Sequence, residues 1–463
     1  MRYFSIVLVT FTFLIFPSIA DAQITFEKWY GGASSDVGYS VAQTSDGGYI
    51  IAGKTDSYGA GGWDVYLIKT DSLGDTTWTK TYGGTDHEMG HSVAQTTDGG
   101  YIVVGSGNLG IYLIKTDAVG DTTWTKSFGG IGYAVAQTSY GGYIITGSYG
   151  GDVYLMKTNA NGDSIWTRTF DGSDVAYGYS VIQTFDEGYI ITGWARPYGP
   201  GSANVYLIKT DSLGDTTWTK MYGDSTNSTG QSVSQTSDGG YIIAGNITPF
   251  YFPDVYLIKT NESGDTIWTK SFGSIDGWDE GYSVAQTADG GYIVTGFVET
   301  TYMNRDVYLI KTDATGDSLW TKRFGSSNND EGYSVAQTAD GGYIIAGFTQ
   351  SFGAGGHDVY LIKTDANGLV GIKEQTDPRP ESRDMRLVVQ PNPFITSAAI
   401  TIEGISEHQN TRLSDLQIYD ASGRLVKSVK LTTNSCQLGA DLIPGIYFLK
   451  ADGKYVGKVV KVR

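Results

Sequence analysis

Short apolar runs broken by glycine and aspartate dominate the first 370 residues. In the first stretch they read YSVAQT (Tyr39–Thr44), YIIAG (Tyr49–Gly53), DVYLIKT (Asp64–Thr70) and TTWTKTY (Thr76–Tyr82). Each run is rich in Val, Ile, Tyr, Thr or Trp, the residues that fit a pleated, half-buried surface, and none carries a helical period. Asp-Gly-Gly joins the first two runs, because glycine supplies positive φ without a Cβ clash. DSLGD joins the last two, with Asp71 suited to an Asx turn and Gly74 to the left-handed position. The pattern predicts four antiparallel strands linked by tight turns.

The unit then repeats. GYSVAQTSDGGYIIAG (Gly38–Gly53) returns as GHSVAQTTDGGYIVVG, GYAVAQTSYGGYIITG, GYSVIQTFDEGYIITG, GQSVSQTSDGGYIIAG, GYSVAQTADGGYIVTG and GYSVAQTADGGYIIAG. The second-strand tyrosines Tyr49, Tyr101, Tyr143, Tyr189, Tyr241, Tyr292 and Tyr343 mark seven copies. A four-stranded unit of this length that cannot bury both faces alone must stack on its neighbours, which is the blade pattern of a β-propeller. Small residues such as Ser40 and Ala42 suit the crowded axis, and the fourth-strand tryptophan suits the wide rim.

The ends decide between a ring and a linear stack. A fourth strand with tryptophan occurs six times, at Trp78, Trp124, Trp166, Trp218, Trp268 and Trp320. The seventh copy stops at YLIKTDANG (Tyr360–Gly368) without one. ITFEKWYGG (Ile24–Gly32) aligns with TTWTKTYGG (Thr76–Gly84) and puts Phe26 at the tryptophan position. The N-terminal strand is therefore expected to complete the last blade and remove the open edges.

Gln43 and Lys69 have equivalents in every copy, and a repeated hydrogen bond between blades is the expected use of both. Paired carboxylates in a glycine turn, such as Asp71 and Asp75, are hard-cation ligands in type. Turn chemistry accounts for them without Ca2+, and no cofactor is expected. TDSLGDTTW resembles the Asp-box of sialidase-type propellers, but its spacing differs on each side of the glycine. NANGDSIW (Asn159–Trp166) resembles the tryptophan-docking repeat of quinoprotein propellers, which implies packing and no quinone site.

In an up-and-down blade the DGG and DSLGD turns share one end, and they barely vary. The other connections share the opposite end and vary in length and content, so function is sought there. Candidate ligand-binding residues on these loops are Trp63, Trp194, Arg196, Tyr198, Phe250, Tyr251, Tyr302, Arg305 and His357, with Tyr58, Phe252, Phe352, His87 and Trp278 beside them. Aromatic rings mixed with arginine stack on sugars or anchor proteins. The loops of the second and third blades are short.

Catalytic motifs are absent from the pattern. The four histidines (His87, His91, His357, His408) have no metal-ligand spacing, and there is no G-x-S-x-G. Asp36, Glu88, Asp279 and Asp330 recur before first strands, and either solvated turns or a carboxylate pair for glycoside chemistry accounts for them.

Composition adds the setting. The net charge of −17 disfavours nucleic acid and anionic membranes as partners. The single cysteine, Cys436, allows no intramolecular disulfide. Arg2, an apolar run from Phe4 to Phe16 and the small-residue site Ala20-Asp21-Ala22 read as a secretory signal peptide. The organisation expected is a signal peptide (1–22), a propeller (23–370), a linker (371–384) and a C-terminal β-sandwich (385–463).

That last module has strand-like alternation at Arg386–Gln390, Ala398–Glu403, Leu416–Tyr419, Leu425–Leu431, Ile446–Lys450 and Lys458–Val462. Its motifs PNPF (Pro391–Phe394), LQIYDASGRLVKS (Leu416–Ser428), GIYFLK (Gly445–Lys450) and KVVK (Lys458–Lys461) resemble the type A C-terminal sorting domain of the type IX secretion system. The same strand pattern is similar to the immunoglobulin-like domain of flagellar hook-capping proteins. The first resemblance implies export through the periplasm to the outer surface or beyond, with the outer-membrane secretion machinery as partner. It also implies sorting roles for Pro391, Asn392, Pro393, Tyr419, Gly423, Gly445, Tyr447, Lys458 and Lys461.

The sequence as a whole reads as an all-β, exported, monomeric, non-catalytic propeller that binds a glycan or protein. An extracellular carbohydrate-active enzyme and a structural surface component without a specific ligand are the alternatives.

Overall fold

The computed structural model describes residues 24–170, 174–196, 202–223, 226–249, 251–274, 277–301 and 304–371. In the C-terminal part it describes 386–390, 398–403, 415–420, 425–430, 435–438, 442–443, 445–451 and 454–461. The expected signal peptide, most of the linker, and Tyr198, Phe250, Tyr302, Pro391, Asn392, Pro393 and Gly423 lie outside these residues.

Seven four-stranded antiparallel sheets follow one another along the chain. Blade one is Asp36–Gln43, Tyr49–Thr55, Asp64–Thr70 and Thr76–Tyr82. Blades two to six start at Met89, Ile131, Val175, Asn227 and Asp279. Blade seven takes Asp330–Gln337, Tyr343–Thr349 and Asp358–Thr364, and its outer strand is Phe26–Tyr30. Phe26 pairs with Lys363 and Tyr30 with Val359, so the expected closure is found.

The core lies between blades. Ile50, Ala52, Val65 and Leu67 of blade one pack on Val93, Tyr101 and Val103 of blade two. The second-strand tyrosines are 0–2% exposed, and each meets the aromatic ring of the preceding blade's outer strand. Trp78–Tyr101, Trp166–Tyr189, Trp268–Tyr292 and Trp320–Tyr343 all sit at 5.8–6.0 Å between centroids. Phe26 does the same to Tyr49 at 6.0 Å. The turn glycine covers this ring: a Cβ on Gly74 (φ 77°) would stand 2.6 Å from Phe26, and one on Gly120 2.8 Å from Trp78.

The expected bond between blades holds for glutamine. Gln95 Oε1 accepts from Ser45 N at 2.8 Å, each later glutamine accepts from the blade before, and Gln43 accepts from Ala339 N across the closure. Serine adds a second inner series: Val93 N donates to Ser40 Oγ, and Val41 N to Ser334 Oγ. The lysine expectation is corrected. Lys69 reaches back within its own blade to Asp46 and Thr70 O, because its strand ends directly beneath the Asp-Gly-Gly turn. Asp71 caps its turn through Leu73 N and Asp75 N, and Asp75 pairs with Lys28 of the neighbouring blade at 2.7 Å.

The C-terminal part has two antiparallel sheets. One orders Arg386–Gln390, Ala398–Glu403 and Ser435–Leu438; the other orders Leu425–Lys430, Asp415–Asp420, Gly445–Ala451 and Lys454–Lys461. Ser435–Leu438, which holds Cys436, is a strand that the alternation did not reveal. It is short, at four residues, and polar. Tyr447 is buried and donates to Ile443 O at 2.6 Å; Tyr419 donates to Gln417 at 2.9 Å. Gly445 pairs with Lys461 and Phe448 with Lys458.

Candidate ligand-binding face

All seven first strands carry a β-bulge just after their glycine, between Gly38 and Ser40 in blade one. A bulge leaves one residue unpaired and re-aims its side chain. The residue so placed is Tyr39, His91, Tyr133, Tyr179, Gln231, Tyr282 or Tyr333 in successive blades. Six of these rings touch in sequence around the inner strands. Tyr282–Tyr333 lies at 5.0 Å, Tyr333–Tyr39 at 5.4 Å, Tyr39–His91 at 5.7 Å, His91–Tyr133 at 5.5 Å and Tyr133–Tyr179 at 5.0 Å. Gln231 interrupts the circle in blade five. The bulge falls near the start of each first strand, so the circle stands at the variable-loop end. Sequence reasoning passed over these residues. The signal was a large side chain after the repeated glycine, where small residues were expected at the axis.

The loop residues expected from sequence connect to this circle unevenly. Trp194 stacks on Tyr177 at 5.2 Å and donates from Nε1 to the Tyr179 hydroxyl at 3.0 Å. His357 meets Phe348 edge-on at 4.5 Å, and Phe348 lies 5.9 Å from Tyr333. Its ring nitrogens contact Ser35 Oγ and Gln350 Nε2. The Arg305 guanidinium lies over Trp278 at 5.0 Å and Phe297 at 4.4 Å, and pairs with Glu331 at 2.8 Å. Trp63 holds Lys54 Nζ over its ring at 3.6 Å and packs on His87 at 4.8 Å. Tyr251 is 90% exposed, and Arg196 is exposed at its strand end.

Burial sets the electrostatics of the mouth. Glu331 is 5% exposed, and burial raises its pKa against the opposing pull of Arg305 and the Tyr333 hydroxyl. Burial and then Glu331 hold the Tyr333 hydroxyl well above its ordinary value. Burial, then the Lys54 charge, lowers His91 to about 4, so its imidazole is neutral at physiological pH. The mouth presents aromatic edges, one shielded ion pair and neutral hydroxyls, chemistry suited to stacking and hydrogen bonding.

The recurring carboxylates are built differently. Asp36, Asp279 and Asp330 are 0% exposed. Asp36 accepts from Gly32 N and the Ser57 hydroxyl, Asp279 from Glu299 N, and Asp330 from Ser326 N and the Ser351 hydroxyl. These bonds fasten the loops to the blades.

The model of the secretion system C-terminal sorting domain family matches residues 388–462. No curated protein matches the chain. Among solved structures it is similar to PorZ, a surface component of the type IX secretion system of Porphyromonas gingivalis. That pair shares 14% identity over 90% of this chain and 58% of that one, with a TM-score of 0.43. It is also similar to the Pan2 WD40 domain of Neurospora crassa, at 9% identity, 74% and 96% coverage and a TM-score of 0.46. Virginiamycin B lyase from Staphylococcus aureus scores the same at 8% identity, with 73% and 99% coverage. At these identities none of the three bears on what this chain binds. The sorting domain sets the destination: this chain is a seven-bladed β-propeller that ends in a type IX secretion C-terminal sorting domain, and it is exported to the cell surface or the extracellular space.

Proposed function

We propose that the exported propeller is a non-catalytic binding protein that takes a glycan or a protein on its variable-loop face, around the aromatic mouth. The observation that carries this reading is the continuity of the circle. Rings from six blades touch one another; Trp194 and Arg305, expected on loops but held in the strands Tyr189–Arg196 and Asn304–Thr312, and His357 from a loop join them. Half-buried aromatic rings braced by one another give contact area at little cost in conformational entropy. The carbohydrate-active enzyme is the weaker reading, because Asp36, Asp279 and Asp330 are fully buried and bonded to their loops, which leaves only the half-buried Glu88 of the four recurring carboxylates.

The test is a glycan and cell-surface protein array probed with the secreted protein. Trp194→Ala combined with Tyr251→Ala is expected to weaken the strongest hit by about ten-fold or more. Full binding by this variant moves the ligand off the variable-loop face. Turnover of a polysaccharide, lost in Asp279→Asn, promotes the enzyme. Absence of any hit supports a structural surface component.

A further inference from the structure

The opposite, turn-bearing face is uniform in six blades and broken in one. In the six, a lysine at the end of the third strand grips the aspartate of the first turn (Asp-Gly-Gly in five blades, Asp186-Glu187-Gly188 in blade four), as Lys115 does Asp98 at 2.9 Å and Lys363 does Asp340 at 2.9 Å. One oxygen of that carboxylate also accepts from the turn threonine and glycine, as Asp98 does from Thr96 Oγ1 and Gly100 N. The tyrosine of the next blade stands near it. Burial first, and then the charge of Asp98, lifts Tyr143 to about 12. Each such carboxylate thus has a ready-made set of donors.

In blade three the aspartate is replaced by Tyr140, and the donors remain. Lys157 makes no ion pair or hydrogen bond among the described residues; its ammonium lies 5.9 Å from the Tyr140 ring and 5.6 Å from that of Tyr189. Thr138 turns its hydroxyl to Gly142 O at 3.2 Å. The Tyr189 hydroxyl is fully buried and has no partner, and neither has the hydroxyl of Thr158, next to Lys157. Both residues are 0% exposed. Glu187, on the corresponding turn of blade four, accepts from the Tyr140 hydroxyl at 2.7 Å. Tyr140 stands 68% exposed above this place.

We infer that the junction of blades three and four is a binding site for the carboxylate of a small ligand, gripped by Lys157 with the Tyr189 hydroxyl and Gly142 N–H. The six intact blades are its template: the equivalent lysine and glycine hold a carboxylate there, with the next blade's tyrosine close by, and here that carboxylate comes from outside. A buried hydroxyl without a partner is costly, and a bound carboxylate supplies the missing acceptor. The exposed Tyr140 ring favours a ligand with a flat face beside its acid group, such as a single uronic acid. A polyanion is disfavoured by the net charge of −17. This site is independent of the variable-loop face.

The experiment uses the exported protein with 13C-labelled tyrosine rings, the Tyr189 signal being assigned by its loss in Tyr189→Phe. Sodium acetate is titrated against sodium chloride at equal ionic strength, and glucuronate against glucose. Acetate and glucuronate are expected to shift the Tyr189 signal saturably, with chloride and glucose inert. Lys157→Met is expected to weaken the midpoint by about ten-fold. Tyr140→Asp restores the repeat, so its Tyr189 signal is expected to be shifted from the start and unresponsive. A tighter response to glucuronate than to acetate identifies the ring as part of the ligand; equal responses leave the carboxylate as the whole of what is recognised. No saturable shift up to about 0.1 M acetate overturns the site. An undiminished response in Tyr140→Asp, whose fold is checked by its remaining tyrosine signals, overturns it equally.

Discussion

Phe26 meets the edge of Tyr49 at 6.0 Å, across the one junction where the first strand of the chain touches the first blade. The other junctions use tryptophan for the same contact. Phe26 is 6% exposed and sits beneath Gly74. Phe26→Ala is expected to cost about 3–5 kcal/mol, read as a lower thermal midpoint. Phe26→Trp is expected to be tolerated, since the six equivalent sites already accommodate that ring. Equal loss in both variants would show that the closure is not a repeat of the other junctions.

Stability is expected to peak in mild acid. Asp46, Asp98, Asp238 and Asp289 are lowered to about 2: burial raises them, but hydrogen bonds from their lysine, threonine and glycine partners win. A depressed carboxylate gives stability that is full above its unfolded value near 4 and is lost as pH falls toward 2. Asp358 goes the other way, raised to about 6 by burial and then by Asp36, with Ala354 N opposing. Its contribution is full below pH 4 and lost as pH rises through 6. Thermal midpoints across pH 2–8 should therefore rise and then fall, and Asp358→Asn should flatten only the upper limb.

Arg305 and Glu331 form an asymmetric pair. Arg305→Ala leaves a carboxylate that is 5% exposed without its cation, for a loss of about 1–3 kcal/mol. Glu331→Gln keeps a neutral acceptor for Arg305 and Tyr333 and is expected to lose less. Chemical denaturation of the two variants checks the order.

Removal of Pro391 to Arg463 is expected to leave the propeller folded and retained in the periplasm. Fractionation and protease resistance of the truncated chain read the two parts of this expectation separately. Normal surface delivery without the sorting domain would refute the second.

The closure was legible because it rests on counting: six tryptophan strands, seven tyrosines and one orphan strand at the start. The glutamine bonds were legible as repeats, although repetition could not say that Lys69 turns inward to Asp46 while Gln43 reaches out to Ala339. That distinction depends on which strand end faces which turn. The aromatic circle was hidden by register. Only the bulge after Gly38 turns Tyr39 to the axis, and alternation alone gives no sign of an extra residue. Tyr140 and Phe185 were visible in the repeat as departures from Asp and from Ser, Thr or Ala, on the face taken for uniform.

The outer strand of blade seven also orders the events of folding. Glu27 and Tyr360 are in contact across 333 residues. The first strand to emerge during synthesis or export has no partner until nearly the whole propeller has followed it. Joining such distant segments costs roughly 5 kcal/mol in loop entropy, recovered only when the last contact forms. Six blades can stack as they appear, but the seventh is a latch that stays open until the chain has been delivered far enough to shut it. A chain in transit is thereby kept from locking early, at the cost of carrying an unpaired strand throughout.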